Sequence, residues 1–189
     1  MDERFAADDL MAFKQAFRRH AAGVAVVTAR DVDGTPVGFT ATSLASLAAV
    51  PPLATFNMAR IASAWHAVEN TDWVAIHMLG ARSSAIAQKL SGPALDRFVG
   101  DHWHEGPHGL PIVDGVTAWM VGRIVQRVPV EGNAVIVVQI EEGALGEDDA
   151  PCCTTSARTT PRGRSTDESA SLRSTRNGLR LRFVRNDAV

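Results

Sequence analysis

Residues 36–65 read PVGFTATSLASLAAVPPLATFNMARIASAW, and this stretch carries most of what the chain reveals about its function. Two strand-like runs within it are separated by a Pro-Pro corner and are followed by a helical segment. Its polar residues stand at the two strand ends and at the helix start: Thr40, Thr42, Ser43, Asn57, Arg60 and Ser63. Hydroxyls, backbone N–H groups and one guanidinium gathered in this way favour an anion. The stretch therefore predicts a phosphate-binding site.

The remainder of the chain alternates short strands with a few helices. A β-branched run at Val24–Ala29 and a return at Thr35–Thr42, joined by Asp33-Gly34, indicate a hairpin. Further strands are predicted at 53–58, 73–79, 118–128 and 134–145, and helices at 8–17, 62–70 and 83–90. The Gly, Pro and His content of residues 92–111 indicates a loop. This order predicts a mostly β fold with flanking helices, and it favours a small closed barrel over a doubly wound sheet.

Composition and charge exclude several classes of protein. The 189 residues are 46% apolar, which is enough for one domain with a real core. No apolar run reaches the roughly 18 residues of a membrane span, and the first residues do not resemble a signal peptide, so a cytoplasmic protein is expected. Residues 151–189 carry eight Arg and three acidic residues, which leaves a net charge of −7 on residues 1–150. An acidic body argues against a nucleic-acid binder.

The usual signatures of other chemistries are missing. No Gly-x-Gly-x-x-Gly follows a strand, which argues against a Rossmann site, and Ser43 lacks the Gly-x-Ser-x-Gly pattern of a hydrolase nucleophile. The loop histidines His102, His104 and His108 have no cysteine or paired carboxylate at ligand spacing, so no metal site is predicted. The only cysteines, Cys152 and Cys153, are neighbours, and we interpret them as structural.

The stretch resembles the flavin reductase-like family, the FMN-binding split barrels that include the reductase components of two-component flavin monooxygenases. The family's Gly-Phe-Thr-Ala-x-Ser motif stands at 38–43, its Pro-Pro-Leu corner at 51–53 and its phosphate turn at 57–63. Arg97-Phe98 resembles the family's loop beside the flavin ring. The similarity runs from Phe13 to about Leu145. It implies an FMN-binding split β-barrel with a few flanking helices.

The resemblance also implies an activity and a binding site. The expected activity is an NAD(P)H-dependent flavin reductase that uses FMN or FAD and supplies a partner monooxygenase, with the site at a homodimer interface. Because the flavin provides the reactivity, no catalytic side chain is predicted. The flavin-binding residues that the resemblance implies are Gly38, Phe39, Thr40, Ala41, Thr42, Ser43, Asn57, Met58, Ala59, Arg60, Ser63 and Lys89.

Two alternatives to a flavin reductase stay open from the sequence. One is a flavin-binding module without turnover, such as a carrier, a sensor or a reductase inactivated by its altered C-terminus. The other is an oxidase of the pyridoxamine phosphate type, which shares the barrel and an anionic ligand. The chain also departs from the family, because Gly132, Asn133 and Ala134 stand where relatives often have Gly-Asp-His.

The segment after Ala150 departs further from the family. Relatives close the barrel with a strand resembling Pro-Leu-Leu-Tyr-His, whereas Pro151 is followed here by Cys-Cys-Thr-Thr-Ser. Shifting the reading frame by one base restores apolar residues and His or Tyr at these positions. We therefore predict a frameshift near Pro151, with a native basic extension as the alternative. The chain divides into a domain at 1–150 and a tail at 151–189, which is expected to be irregular from Cys152 to Asn177 with few contacts to the body.

Overall fold

A computed structural model describes residues 7–154, which form three α-helices and eleven strands. The helices are α1 (Ala7–Arg19), α2 (Trp65–Asn70) and α3 (Ser84–Ser91). The strands are β1 (Ala22–Gly23), β2 (Ala25–Arg30), β3 (Pro36–Ala41), β4 (Ala45–Ala49), β5 (Pro52–Ala59), β6 (Trp73–Met78), β7 (Trp103–Glu105), β8 (Pro111–Val113), β9 (Ala118–Val130), β10 (Asn133–Leu145) and β11 (Cys153–Thr154). No helix within this range has the length and apolarity to cross a bilayer.

Seven strands form one antiparallel sheet in the order β3-β2-β6-β9-β10-β5-β4. Two short pairs, β1 with β11 and β7 with β8, lie beside it. The fold is mostly β with a few helices, as predicted. No backbone pairing among the described strands joins β3 to β4, so the sheet is an open, split barrel rather than the closed one that strand spacing favoured.

The strands bury their two faces in different clusters. Val27 of β2 faces the main core, whereas Val26 faces the cluster that contains Leu90 of α3 and Val113 of β8. Successive side chains of a strand point to opposite faces, which explains why one apolar run serves both clusters. The main core is filled mostly by small and β-branched residues around one phenylalanine: Val27, Ala29, Ala41, Ala54, Phe56, Met58, Ala64, Val68, Val74, Ile76, Ile124, Ala134, Ile136 and Val138.

A buried histidine fastens the β7–β8 hairpin to the sheet. His77 of β6 is fully buried; its Nδ1–H donates to the carbonyl of Val26, and its Nε2 accepts the N–H of Val113 at 3.1 Å. These two bonds fix the neutral ring in one tautomer. Burial, supported by the nearby His104, lowers the pKa of His77 to about 4, and the bond to Val26 opposes this shift.

Sequence patterns missed β4 and the β7–β8 hairpin. β4 consists of Ala, Ser and Leu, which are weak strand formers, and it is recruited by pairing with β5. β7 is three residues long and lies in the segment predicted to be a loop. Helix α2 begins at Trp65 rather than at Ala62, because tight turns bond Ala62 to Ala59 and Trp65 to Ala62 first.

The start of the tail belongs to the fold. The N–H of Cys152 donates to the carbonyl of Leu79 at 2.9 Å, the carbonyl of Cys152 accepts from Val24, and the side chain is buried. The expectation of an irregular tail with few contacts from Cys152 onward is therefore wrong for Cys152, Cys153 and Thr154, because Cys153 and Thr154 form β11 and pair with β1. Main-chain pairing requires no particular side chain, and cysteine behaves as a small apolar residue in a core. The rest of the predicted tail lies outside the described residues, and the frameshift stays a prediction.

Candidate functional site

Two hydrogen bonds join the ends of β3 and β5. Ser43, which follows β3, accepts the N–H of Asn57 at its Oγ over 2.8 Å and donates to the carbonyl of Asn57 at 3.3 Å. The hydroxyl therefore takes the place of a strand neighbour and satisfies both backbone groups of Asn57. The structure thus brings together two of the strand ends that the sequence predicted to share a site.

β3 is an end strand of the sheet, so one of its edges is unpaired. The carbonyl of Gly38 points to that edge, where it accepts a hydrogen bond from outside the sheet. Backbone groups alternate in direction along an antiparallel strand, so the N–H and C=O of Thr40 lie on the same edge. Unpaired edges offer donors and acceptors to a ligand. This edge belongs to the stretch at residues 38–43 that the family resemblance assigned to flavin binding.

The predicted residues of β3 and β5 divide between two faces. The side chains of Phe39 and Met58 pack in or against the main core, with the rings of Phe39 and Phe56 at 5.9 Å. Ala41 is buried there as well. These residues can therefore meet a ligand only through their backbone. Thr40 lies opposite Val26 and so shares the face on which α3 packs.

Arg97 connects the two halves of the predicted site. Its Nη1 donates to the carbonyl of Gly38 at 2.7 Å and to Oγ of Ser63 at 3.3 Å, and its Nε donates to Gly92. Its Nη2 makes no hydrogen bond within residues 7–154 and remains for a ligand anion. Burial lowers the pKa of this guanidinium. The sequence singled out Arg97 only through the resemblance at Arg97-Phe98 and did not place it among the binding residues.

Gly38 is closely packed by the residue that follows Arg97. A Cβ added at Gly38 would lie 2.9 Å from Cζ of Phe98 and 3.2 Å from the carbonyl oxygen of Val27. The ring of Phe98 thus lies directly on the backbone of β3. Phe98 in turn makes an edge-to-face contact with Trp103 at 5.5 Å, which carries the packing into β7.

The other predicted cations lie apart from this cluster. Arg60 is exposed and its guanidinium stacks over Trp65 at 5.6 Å, while its N–H bonds the carbonyl of Gly132. Lys89 of α3 donates to the carbonyl of Val99. Within the described residues, neither side chain makes a hydrogen bond to the hydroxyls of residues 40–43.

Ser63 does not open a helix, contrary to the sequence prediction. It lies in the turn before α2, and Ala64 occupies the cap position without a side-chain capping bond. With six residues, α2 is too short to provide an N-terminal anion site. The contribution of Ser63 is the hydroxyl that accepts from Arg97.

A cavity of about 610 Å³ opens beside the joined strand ends. Small-molecule sites commonly measure roughly 300–1,000 Å³. Its lining comes from two parts of the chain, residues 42–57 and the end of α1 through β1: Thr42, Ser43, Leu44 and Asn57, and Phe17, His20, Ala21, Ala22 and Gly23. Phe17 and His20 were not predicted, because nothing in the local sequence brings α1 to these strand ends.

The loop histidines point to separate partners. His102 bonds the carbonyl of Arg97, His104 pairs with Asp114 at 2.8 Å, and His108 stacks on Trp73 with ring centroids 3.6 Å apart. In the described part of the chain no group of three His, Cys, Asp or Glu residues could hold a metal ion.

The chain matches the sequence pattern of a known family over most of its length. Residues 17–159 match the family described as "Flavin reductase like domain". The chain is 36% identical over 138 residues to the NADH:FMN oxidoreductase of Rhodococcus qingshengii, which covers 72% of this chain and 71% of that protein. It is 31% identical over 141 residues to the reductase component of the flavin-dependent trigonelline monooxygenase of Acinetobacter baylyi, covering 75% of this chain and 46% of that protein.

The fold is also similar to solved structures. A crystal structure of a flavin reductase domain protein from Arthrobacter sp. FB24 aligns with a TM-score of 0.75 at 45% sequence identity. The alignment covers 84% of this chain and 99% of that one.

Proposed function

The chain belongs to the flavin reductase-like domain family, and we propose that it binds its flavin along the free edge of β3 and the joined strand ends at Ser43 and Asn57. It is an NAD(P)H:flavin oxidoreductase of the kind that supplies reduced flavin to a partner monooxygenase. The observation that carries the proposed site is the Ser43–Asn57 connection, because it holds two strand ends beside a cavity of suitable size.

The residues around this site fit a flavin nucleotide. The free edge of β3 offers backbone groups to a planar ring with donors and acceptors, and Arg97 has an unused Nη2 for a phosphate or ribityl oxygen. Thr40, Thr42, Ser43, Ser63, Arg60 and Lys89 complete the proposed binding set, with backbone contacts at Gly38, Phe39, Ala41, Asn57, Met58 and Ala59. FMN and FAD share these features, so both remain within the proposal.

The protein's part in the reaction is to bind and orient the two ligands. A flavin held at the β3 edge and beside Ser43 and Asn57 would supply the hydride-accepting chemistry, with reduced nicotinamide as the hydride donor. Holding two rings face to face converts a bimolecular step into a unimolecular one, which requires no acid, base or nucleophile from the chain. The β3 edge, fixed by Arg97 and Phe98, would orient the flavin ring.

Anaerobic mixing of the purified protein with FMN and NADH tests this function. Bleaching of the flavin absorbance at a rate far above that of the mixture without protein is the expected result. A flavin whose fluorescence is quenched on binding but whose absorbance does not bleach with NADH or NADPH would instead support a non-catalytic flavin-binding module. Repeating the assay with FAD separates the two flavins.

Replacing Arg60 with alanine is expected to weaken flavin binding about tenfold to a hundredfold. A charge-assisted hydrogen bond contributes about 1.5–3 kcal/mol, and the exposed guanidinium over Trp65 makes no hydrogen bond within residues 7–154, so its donors remain for a phosphate. Titration of flavin fluorescence measures the dissociation constant. An unchanged constant would remove Arg60 from the proposed set, and Arg19→Ala, on α1, serves as a charge-matched control.

We also propose that the protein is a cytoplasmic homodimer. Edge strand β4 exposes Leu47, and Val50 after it is almost fully exposed, so an apolar edge is left for a second copy. Both cysteines are free thiols, which suits a reducing compartment. Sedimentation velocity at micromolar concentration is expected to give twice the chain mass, and a single species of monomer mass would contradict the dimer.

A further inference from the structure

Three consecutive carbonyl groups in the loop at residues 92–103 each accept a hydrogen bond from a side chain. The donors and acceptors are His102 to Arg97 at 2.8 Å, Trp103 to Phe98 at 3.0 Å, and Lys89 to Val99. A loop offers its carbonyls no regular strand or helix partner, so they bond to side chains or to water. Here side chains take that part, and they fix the path of the backbone at residues 97–99.

Of the three donors, Trp103 is the one most firmly connected to the sheet. It lies in β7 opposite Val113 of β8, and the N–H of Val113 is held by the buried His77. The indole ring meets the ring of Phe98 edge to face at 5.5 Å, and the ring of Phe98 lies on Gly38 of β3. Trp103 therefore holds Phe98 at two points, its ring and its carbonyl.

Gly100 supplies the turn that lets these donors reach back along the chain. Its φ is 114°, a conformation that residues with a side chain rarely adopt. A Cβ at this position would lie 3.5 Å from Nζ of Lys89 and 3.6 Å from Nδ1 of His102. The turn reverses the chain, so that the side chains of His102 and Trp103 bond to carbonyls that precede them.

We infer that Trp103 is a positioning residue for flavin binding and that it acts through Arg97. This inference rests on the proposed function, in which the guanidinium of Arg97 meets the flavin at the β3 edge. Arg97 and Phe98 are adjacent, so the bond from Trp103 to the carbonyl of Phe98 limits the directions in which the guanidinium can extend. A side chain already held in its bound orientation loses less entropy on binding, which raises the affinity.

Trp103→Phe is expected to raise the dissociation constant of FMN about fivefold, which corresponds to about 1 kcal/mol. Phenylalanine keeps an aromatic ring beside Phe98 but lacks the Nε1–H, and the net value of one neutral hydrogen bond is of this order. Trp73→Phe is the matched control and should leave the constant unchanged. Trp73 stacks on His108 beside the same β7–β8 hairpin, and within the described residues its side chain makes no hydrogen bond to the loop. Titration of flavin fluorescence measures both constants.

A double-mutant cycle separates positioning from a general loss of order. With Arg97→Ala already in place, Trp103→Phe is expected to have no further effect on the FMN dissociation constant, because the group that it positions is gone. A purely structural role would weaken binding by the same factor in both backgrounds. Gly100→Ala strains the turn at an exposed position, and its effect on FMN binding is expected to depend on Arg97 in the same way.

The outcomes separate this inference from the proposed function. An unchanged FMN dissociation constant in Trp103→Phe, with a folded protein by circular dichroism, overturns the inference, and so do equal factors in the two backgrounds. If Trp103→Phe does not fold, the cycle with Gly100→Ala decides by the same criteria. A protein that bleaches FMN with NADH but lacks the coupling to Arg97 would contradict only the inference. A protein that shows the coupling but does not bleach FMN would uphold the inference and contradict the reductase function.

Discussion

Replacing His77 with alanine is expected to lower the free energy of unfolding by about 3 kcal/mol. The substitution leaves the buried N–H of Val113 without its acceptor, at a cost of about 1–3 kcal/mol, and it opens a cavity between β6 and β8. For a domain of this size such a loss corresponds to a fall in Tm of roughly 6–12 °C. Chemical denaturation monitored by circular dichroism measures the effect.

The same histidine is expected to make stability depend on pH. His77 has a pKa of about 4 when folded and an ordinary value of 6.5, so the unfolded chain binds more protons between these limits. The contribution of His77 to the free energy of unfolding is therefore complete above pH 6.5. It falls by about 3 kcal/mol as the pH decreases toward 4. His77→Gln, which can still accept from Val113 but does not titrate, is the control. An equal loss of stability in His77→Gln over this range would contradict the assignment.

Replacing Arg97 with alanine is expected to weaken flavin binding about a hundredfold. The variant loses the donors to Gly38 and Ser63 that hold the two halves of the site together, and it loses the free Nη2. One charge-assisted hydrogen bond of about 3 kcal/mol accounts for a change of this size. Flavin fluorescence quenching measures the dissociation constant, and circular dichroism verifies that the variant is folded.

Arg97→Lys distinguishes charge from geometry. Lysine keeps the charge but cannot donate to Gly38 and Ser63 in the fixed arrangement of a guanidinium, so an intermediate affinity is expected. An affinity equal to the wild type in Arg97→Ala would mean that the loop at residues 92–103 has no part in the site. His102→Ala, in which the bond to the carbonyl of Arg97 is lost while the guanidinium is kept, tests whether the loop acts only through its general order.

The sequence predicted most elements because their signals are local. β9 and β10 are long β-branched runs that were predicted to within a few residues, and Asp33-Gly34 marked the β2–β3 hairpin. The elements it missed have weak intrinsic preferences. β4 and β7 become strands only because a neighbouring strand offers backbone partners, which no local pattern reveals.

The candidate site divides in the same way. Its hydroxyls and its strand ends could be found from the sequence, because a strand followed by Thr and Ser exposes polar groups wherever it ends. The resemblance to the family added the order of these groups along the chain. The placement of Ser63 at a helix start was wrong, because the turn bonds at residues 59–65 delay the helix.

By itself, the sequence determined the mostly β class, the acidic body, the absence of a catalytic-triad pattern and the polar strand ends at Ser43 and Asn57, since each depends on composition or on residues close together in the chain. The tertiary structure alone decided which distant residues meet. Arg97 reaches Gly38 across 59 positions, His77 reaches Val113 across 36, and α1 reaches the strand ends to close a cavity. Such long-range contacts depend on the three-dimensional path of the whole sheet. Strand pairing and side-chain burial are determined by all strands together, so the local sequence of one strand does not predict them.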